Sequence, residues 1–212
     1  MQPILVLCDD YWHPAKTPRT GLDALPQMDF TFDWIENAYE WSASRMANYS
    51  TVILTKSNNV SATDRTQWMT DEVQAAFVDY VRRGGGLLAI HSGTAEYQEA
   101  LVLRRLLGGV FDHHPKQCPV TVTPHAGHLL TTGSTPFTLQ DEHYFMAMGN
   151  EPVDCFLTST SEHGEQPAGW TRTEGDGRVA VLTPGHHVEI WLEPGYQTLI
   201  INALHWCAQG PA

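Results

Sequence analysis

Short, uninterrupted apolar runs alternate with helix-like patterns through the first half of the chain. Continuous apolar runs are typical of parallel strands, which are buried on both faces because helices cover both sides of such a sheet. The pattern therefore predicts an α/β fold with a mostly parallel sheet between two layers of helices. The predicted strands of this half are residues 3–8, 30–35, 51–55 and 87–90.

Two helices are predicted around the fourth of these strands. The first covers residues 71–83: Thr70 is a suitable N-cap, basic residues lie in the last turn, and three glycines end it. The second covers residues 95–107 and ends at a pair of glycines.

The second half of the chain has a different character. Its strand-like segments are residues 120–123, 137–139, 155–158, 168–173 and 178–182. The last two flank Glu-Gly-Asp-Gly, a turn sequence that predicts an added β-hairpin. Apolar positions spaced i, i+3, i+4, i+7 between Tyr196 and Cys207 predict a C-terminal amphipathic helix packed on the sheet. We find no linker or repeat, so one domain over residues 1–212 is expected.

Composition narrows the class of partner. The formal net charge is −12, and only 12 residues are Lys or Arg, which argues against a nucleic-acid or anionic-membrane surface. No apolar run approaches the ~20 residues of a transmembrane helix, and the N-terminus lacks the basic leader and apolar core of a signal peptide. We therefore expect a cytoplasmic protein with no nucleic-acid or membrane partner.

The chain contains eleven histidines, several of which follow predicted strands. In open parallel sheets, ligands bind outside the carboxyl ends of the strands. His91 follows the fourth strand, His186 follows the strand at 178–182, and His13 lies shortly after the first, so we expect the three to converge on one crevice. Neutral imidazoles can ligate a divalent metal, or one can act as a base while another polarises a carbonyl group. The sequence leaves both alternatives open.

Residues 89–93, Ala-Ile-His-Ser-Gly, have the form of a strand-to-helix elbow centred on His91. In such an elbow, small residues on either side allow a strained backbone at the centre. Centred on Ser92 the pattern fails, because the residue two positions earlier is Ile90. We therefore expect His91 to be presented at the mouth of the sheet, with Ser92 beside it and not as a hydrolase nucleophile.

Three further clusters combine histidines with other polar residues. They are residues 113–115, 125–128 and 141–144. A carboxylate in the last cluster can act as a general acid or base, or can orient a histidine by accepting its ring N–H. Adjacent residues on a strand point to opposite faces, so Asp141 and Glu142 share one site only if the strand has already ended. Nearby proline and glycine favour a loop around His125 and His128.

In order and spacing, these segments resemble the trehalose-utilisation, or ThuA-like, family over nearly the whole chain. The resemblance is carried by residues 84–94, 107–115 and 141–144, by Trp170 with residues 177–179, and by Gly185-His186 followed by a helix that ends in His205-Trp206. This family has the flavodoxin-like fold of class I glutamine amidotransferases. The resemblance therefore implies that fold for this chain.

The resemblance also bears on function. In the amidotransferases a cysteine occupies the elbow, whereas here the elbow carries His91, which implies the fold without glutamine hydrolysis by a thiol. His187 and Glu189 keep the His-x-Glu spacing of the amidotransferase pair but have no cysteine to activate. Family likeness points to His186 as the site histidine. ThuA-like proteins are linked to the use of trehalose and related disaccharides, which implies action on 3-keto sugars made by a partner oxidoreductase.

The main hypothesis is an enzyme that modifies a small-molecule sugar. Its expected catalytic residues are His91, His186, Asp141 and Glu142, and its expected substrate-binding residues are His13, Ser92, His114, Tyr144 and Trp170. A histidine or carboxylate would remove the acidic proton beside the carbonyl group of a keto sugar. The alternatives are a non-catalytic carbohydrate-binding or regulatory protein, and a zinc-dependent hydrolase. The sequence leaves open whether a divalent metal such as zinc is bound, and whether the chain forms a homo-oligomer.

Overall fold

A computed structural model describes residues 1–26 and 29–209 of the chain. Its strands are β1 (Gln2–Leu7), β2 (Phe30–Ile35), β3 (Thr51–Leu54), β4 (Gly86–Ile90), β5 (Gly109–His113), β6 (Cys118–Pro124), β7 (Phe137–Asp141), β8 (Phe145–Met148), β9 (Asp154–Ser161), β10 (Gly164–Glu174) and β11 (Gly177–Leu182). Its α-helices are α1 (Lys16–Asp23), α2 (Ala43–Met46), α3 (Asp71–Arg82), α4 (Leu101–Leu107), α5 (Val188–Leu192) and α6 (Pro194–Ala208). Short 3-10 helices cover Ala38–Glu40, His91–Thr94 and Leu129–Thr131. Within these described residues, no helix combines the length and the apolar character needed to cross a bilayer.

Nine of the described strands form one mixed sheet, in the order β2-β1-β3-β4-β11-β10-β9-β6-β7. The first five strands in this order, from β2 to β11, run parallel to one another, as the apolar runs of the first half predict. The remaining strands continue the sheet in antiparallel order. The predicted hairpin is confirmed, because Glu174 of β10 pairs with Gly177 of β11. The predicted α/β class is also confirmed, and the antiparallel part is larger than one added hairpin.

Side chains of the central strands alternate between two hydrophobic cores. Leu88 and Ile90 of β4 lie in the core that includes α1, α5 and α6, whereas Leu87 and Ala89 lie in the core that includes α3 and α4. Burial of one such leucine or isoleucine side chain contributes roughly 1.5–3 kcal/mol to folding. Helices therefore cover both faces of the sheet, as predicted, and hold β4 firmly at its centre.

The helix predicted over residues 95–107 is shorter in the structure. His91–Thr94 form a 3-10 turn, and α4 begins only at Leu101. Glu96 has a φ of +61°, a left-handed conformation that a right-handed helix cannot contain. The side chain of Gln74 in α3 accepts hydrogen bonds from two N–H groups at the start of α4, which have no partner within the helix. Glu96 therefore lies in a loop between the 3-10 turn and α4, and its side chain is not part of a helix face.

β5 and β8 pair in a separate two-stranded antiparallel sheet. One connection leads from β5 to β6, and a second leads from β7 back to β8. Both connections carry residues of the predicted polar clusters, at 113–115 and 141–144. The small sheet thus serves to bring these two connections together with the parallel strands.

Candidate functional site

The residue that directly follows β4 has a strained backbone. His91 has a φ of +46°, which is uncommon for any residue with a side chain. Gly93 has no room for a side chain, since a Cβ there would lie 1.8 Å from the carbonyl oxygen of Leu54. The small residue of the elbow pattern is therefore required for a steric reason. The turn redirects the chain so that the imidazole of His91 lies at the end of the sheet.

Hydrogen bonding fixes the tautomer of His91. Its Nδ1 lies 2.8 Å from the carbonyl oxygen of Thr183, so Nδ1–H donates and Nε2 carries the lone pair. Nε2 is buried and has no hydrogen-bond partner within the described residues. Burial lowers the pKa of His91 to about 4, against the opposing effect of the Glu142 carboxylate. Near neutral pH the imidazole is therefore neutral, and its lone pair is available to a metal ion or a proton.

His13 lies in the connection after β1, and Asp10 fixes its orientation. Nδ1 of His13 lies 2.9 Å from Oδ1 and 3.1 Å from Oδ2 of Asp10, and the backbone N–H groups of Trp12 and Ser57 also donate to this carboxylate. Burial opposes ionisation of Asp10, but His13 and these N–H groups outweigh it and lower the pKa of Asp10. The ionised carboxylate holds the Nδ1 proton, so the lone pair of His13 is on Nε2.

Asp141 and Glu142 have different roles because β7 ends at Asp141. The two carboxylate oxygens of Asp141 accept hydrogen bonds from the backbone N–H groups of Gly185 and His186, each at 3.0 Å. Burial raises the pKa of Asp141 to about 6, although both N–H groups favour the ionised form. Oε2 of Glu142 lies 3.2 Å from Nδ1 of His186 and 3.5 Å from Nε2 of His91. Asp141 thus positions the backbone of His186, and Glu142 contacts the imidazoles themselves.

Four side chains form a compact cluster, which we call the histidine cluster: His13, His91, Glu142 and His186. Each offers one ligand atom, and these atoms all lie within 4.8 Å of one another. Two ligand atoms of a tetrahedral zinc ion are about 3.4 Å apart, since zinc–nitrogen bonds are about 2.1 Å long. An ion would therefore draw the most distant ligand atoms together by roughly 1.4 Å. Three imidazoles and one carboxylate suit zinc or another divalent transition metal.

The charges within the histidine cluster also fit a cation. Burial opposes ionisation of Glu142, but the neighbouring His186 outweighs it and holds the pKa of Glu142 well below its usual range. Burial opposes protonation of His186, but the Glu142 carboxylate outweighs it and raises the pKa of His186. Without a metal, the cluster therefore favours an ionised Glu142 beside a His186 that binds a proton more readily than usual. A divalent cation would compete with that proton and keep the carboxylate.

A cavity of about 260 Å³ lies beside the histidine cluster, and we call it the site cavity. Its walls are formed by Trp12, His13, Ala95, Glu96, Phe111, His114, Glu142, Tyr144 and His186. The ring of Tyr144 stacks on His91 with centroids 4.1 Å apart, and Phe111 packs on Tyr144 at 4.2 Å. Glu96 accepts hydrogen bonds from the indole N–H of Trp12, at 3.3 Å, and from the side-chain amide of Asn59. The cavity therefore combines an aromatic wall, a wall of imidazole and carboxylate groups, and a separate carboxylate.

Residues 5–207 match the ThuA family, described as trehalose utilisation. The chain belongs to this family. Solved structures with the same fold include a ThuA-like protein from Bacteroides uniformis, with a TM-score of 0.73 and 19% identity, covering 97% of this chain and 91% of that one. A cytoplasmic protein from Salmonella typhimurium has a TM-score of 0.69 and 13% identity, covering 100% of both chains. A β-galactosidase from Bacillus circulans has a TM-score of 0.67 and 12% identity, covering 99% of this chain and 32% of that one. At these identities the likeness shows the fold alone, and no curated protein matches the sequence.

In this member of the ThuA family, the structure brings together most of the residues that the sequence analysis selected. His91, His186, Glu142 and His13 form the histidine cluster. His114 and Tyr144 line the site cavity, and Nε2 of His114 lies 3.6 Å from Oε1 of Glu142. Asp141 does not belong to the cluster, and it contacts the cluster through the backbone N–H of His186, which donates to its carboxylate.

Two residues expected to bind substrate do not line the site cavity. Trp170 has no exposed surface, and its indole N–H donates to the carbonyl oxygen of Leu107 within the core that includes α3 and α4. Its ring therefore has no face on which a sugar could stack, which corrects the expectation. Ser92 is 1% exposed inside the 3-10 turn and forms no part of the cavity wall. Its proximity to His91 in sequence does not bring its hydroxyl to the cavity.

The loop predicted around His125 and His128 is confirmed. His125 follows β6 and lies 2.6 Å from the hydroxyl of Thr158 and 3.1 Å from the carbonyl of Cys155. Nε2 of His128 lies 3.4 Å from Asp154. Neither histidine belongs to the histidine cluster.

Asp10, Glu96 and Phe111 contribute to the site but were not selected from the sequence. The sequence does contain a signal for Asp10, because a carboxylate that follows a strand close to a histidine can orient that histidine. Glu96 was placed inside a predicted helix, so its position at the cavity was hidden. Phe111 belongs to β5, a strand that the sequence analysis did not predict.

Proposed function

We propose that this protein is a metal-dependent enzyme of sugar utilisation that acts on a keto sugar derived from trehalose or a related disaccharide. Membership of the ThuA family supports a sugar as the substrate class. The observation that carries the proposal is the convergence of three imidazoles and one carboxylate beside the site cavity. Two Salmonella proteins of the same fold are described as cytoplasmic, which supports the same location here.

The size and walls of the site cavity suit one sugar ring. Its volume of about 260 Å³ is below the roughly 300–1,000 Å³ of pockets for drug-sized ligands. Tyr144 and Phe111 provide an apolar surface on one side, while Glu96 and His114 provide polar groups at other walls. A ring in this cavity would lie beside the histidine cluster with its hydroxyl groups facing hydrogen-bonding partners.

A keto sugar offers chemistry that these groups can perform. A divalent ion held by the histidine cluster would polarise the carbonyl oxygen and stabilise the negative charge that develops there. A base on the cavity wall then removes the proton from the carbon next to the carbonyl. His114 is suited to this role, because its Nδ1–H donates to the carbonyl of Pro115 at 2.7 Å and its Nε2 carries the lone pair. Glu96 is the other candidate base.

Elimination would follow from the loss of that proton. The electron pair left on carbon forms a carbon–carbon double bond, and the C–O bond at the next carbon breaks. The glycosidic oxygen takes up a proton and leaves with the second sugar. This step does not change the oxidation state of the substrate as a whole, so a separate oxidoreductase must first produce the ketone.

Hydrogen–deuterium exchange tests this proposal. The zinc-loaded protein is incubated with a 3-keto disaccharide in D₂O, and we expect NMR to detect deuterium at the carbon beside the carbonyl. Exchange should stop after zinc removal by EDTA and in His91→Asn, and should persist in the control His163→Asn, whose histidine is exposed and lies outside the cluster. Absence of both exchange and turnover would refute the proposal and favour a binding protein.

A hydrolase is the second candidate function. Three histidines beside an accessible cavity are also the ligand set of catalytic zinc sites that activate water, and Glu142 would then serve as the base. The same experiment separates the two functions. Release of the second sugar together with a saturated keto sugar that carries no deuterium would favour hydrolysis, whereas elimination would leave an unsaturated ketone.

A further inference from the structure

A second cavity, of about 250 Å³, shares one wall residue with the site cavity. This residue is Glu96, and its carboxylate is held from both sides. Trp12, which lines the site cavity, donates to one of its oxygens, and Asn59, which lines the second cavity, donates to the other. Its φ of +61° is a left-handed conformation that most residues avoid. The carboxylate therefore has a fixed position at the boundary of the two cavities.

Every residue that lines the second cavity has a polar side chain. Besides two glutamates, these residues comprise Asn58, Asn59, Arg65, Gln67 and Gln98. Amide and guanidinium groups donate hydrogen bonds, while amide and carboxylate oxygens accept them, which matches the hydroxyl groups of a sugar. Oδ1 of Asn59 is buried and has no hydrogen-bond partner within the described residues. The two carboxylates would repel an anion such as a phosphate ester, so the walls favour a neutral polyol.

Aromatic surface adjoins the boundary between the cavities. Trp12 is 53% exposed and Tyr11 is 47% exposed. The guanidinium of Arg65 lies 4.6 Å from the Tyr11 ring centroid and 5.4 Å from that of Trp12. A rigid indole with an exposed face and a bound N–H offers apolar surface to the C–H groups of a sugar ring. Arg65 thus connects this aromatic pair with the second cavity.

We propose that the second cavity is a subsite for the second ring of a two-ring sugar, so that the linkage between the rings lies against Glu96. The proposal rests on the proposed function, because it takes the first ring to occupy the site cavity. The two volumes, about 260 and 250 Å³, are similar and allow one ring each. The substrate class is then a disaccharide or a related neutral glycoside, and not a free monosaccharide.

Calorimetric titration with unreactive sugars tests the subsite. Zinc-loaded protein is titrated with methyl α-glucoside, trehalose and maltose. We expect trehalose or maltose to bind at least roughly tenfold more tightly than methyl α-glucoside, which corresponds to ~1.4 kcal/mol. The double variant Arg65→Ala/Gln67→Ala should lose this preference and still bind methyl α-glucoside. The control Arg83→Ala removes an exposed arginine that lies after α3, outside both cavities, and should keep the preference.

The outcomes separate the subsite from the proposed function. Equal binding of one-ring and two-ring sugars, no binding of any of them, or a preference that survives the double variant would each overturn the subsite. Circular dichroism shows whether the double variant is folded, and Gln98→Ala provides a second variant in the same cavity. Because these sugars are not oxidised, a disaccharide preference without deuterium exchange would refute the proposed chemistry alone. Exchange without that preference would refute the subsite alone.

Discussion

Replacing Asp10 by asparagine would show whether this carboxylate prepares His13 for a metal. Asp10 accepts hydrogen bonds from the His13 ring and from the backbone N–H groups of Trp12, His13 and Ser57. Asparagine retains one acceptor oxygen. If that oxygen takes the place of Oδ1, the new NH₂ group faces the N–H of Ser57, which lies 2.8 Å from Oδ2 in the structure. One buried donor then lacks a partner, and we expect a loss of ~1–3 kcal/mol in the free energy of unfolding.

The effect of Asp10→Asn on metal binding is a separate quantity. The carboxylate holds the Nδ1 proton of His13, and loss of such a partner typically weakens metal binding by roughly 10–100-fold. We therefore expect the zinc Kd to rise by about this factor, or ~1.4–2.7 kcal/mol. The tautomer of His13 should also be less strictly fixed, which nitrogen NMR of the metal-free protein would detect.

Competition with a chromophoric chelator measures the zinc Kd, and urea unfolding in EDTA measures stability without metal. The matched control is Asp9→Asn, because Asp9 accepts the N–H of Ala15 through one oxygen and asparagine can keep that bond. A folded Asp10→Asn variant with unchanged zinc affinity would refute the reasoning. An equal loss of affinity in both variants would attribute the effect to the loop and not to the carboxylate.

Three further changes have defined outcomes. Glu142→Gln removes the charge that raises the pKa of His186, so that pKa should fall in NMR titrations of the metal-free protein, and the zinc Kd should rise. Burial lowers the pKa of His91 to about 4, so between pH 6.5 and 4 the unfolded chain binds the extra proton and the metal-free fold loses stability as the pH falls. Measured by urea unfolding, the free energy of unfolding of His91→Asn should fall less than that of the wild type between pH 6.5 and 4. Trp170→Phe leaves the carbonyl of Leu107 without its indole donor and should cost ~1–3 kcal/mol of stability. Sugar and zinc affinities should stay unchanged, and a weaker sugar affinity would contradict the placement of Trp170 in the core.

The sequence predicts the parallel half of the sheet because burial is nearly complete there. Every residue of β3 and β4 is buried, so a continuous apolar run reports the structure directly. In β8 every residue is half-buried, which leaves neither an alternating nor a continuous pattern to detect. The prediction of a helix that begins at residue 95 is wrong for another reason. The hydrogen bonds of Glu96 come from Trp12 and Asn59, which are distant in sequence, so no local pattern can reveal its backbone conformation.

The candidate site, like the fold, could be predicted from the sequence only in part. His13, His91 and His186 were expected to converge because they follow strands whose carboxyl ends share one edge of the sheet. The role of Glu142 depended on the residue at which β7 ends, and strand ends are the least certain part of a pattern. Trp170 shows the limit of residue type as a signal. A tryptophan on a strand is equally suited to a core and to a binding surface, and only the packing of α4 over it decides between them.

The histidine cluster also connects distant parts of the chain. Three of its members follow β1, β4 and β11, and Glu142 comes from the connection that leaves the antiparallel part of the sheet. A metal bound there would link these segments in the folded state only, and at a free concentration a thousandfold above its Kd it would add ~4 kcal/mol to stability. The backbone strain at His91 costs roughly 1–3 kcal/mol. Metal binding on this scale would offset that strain at the elbow.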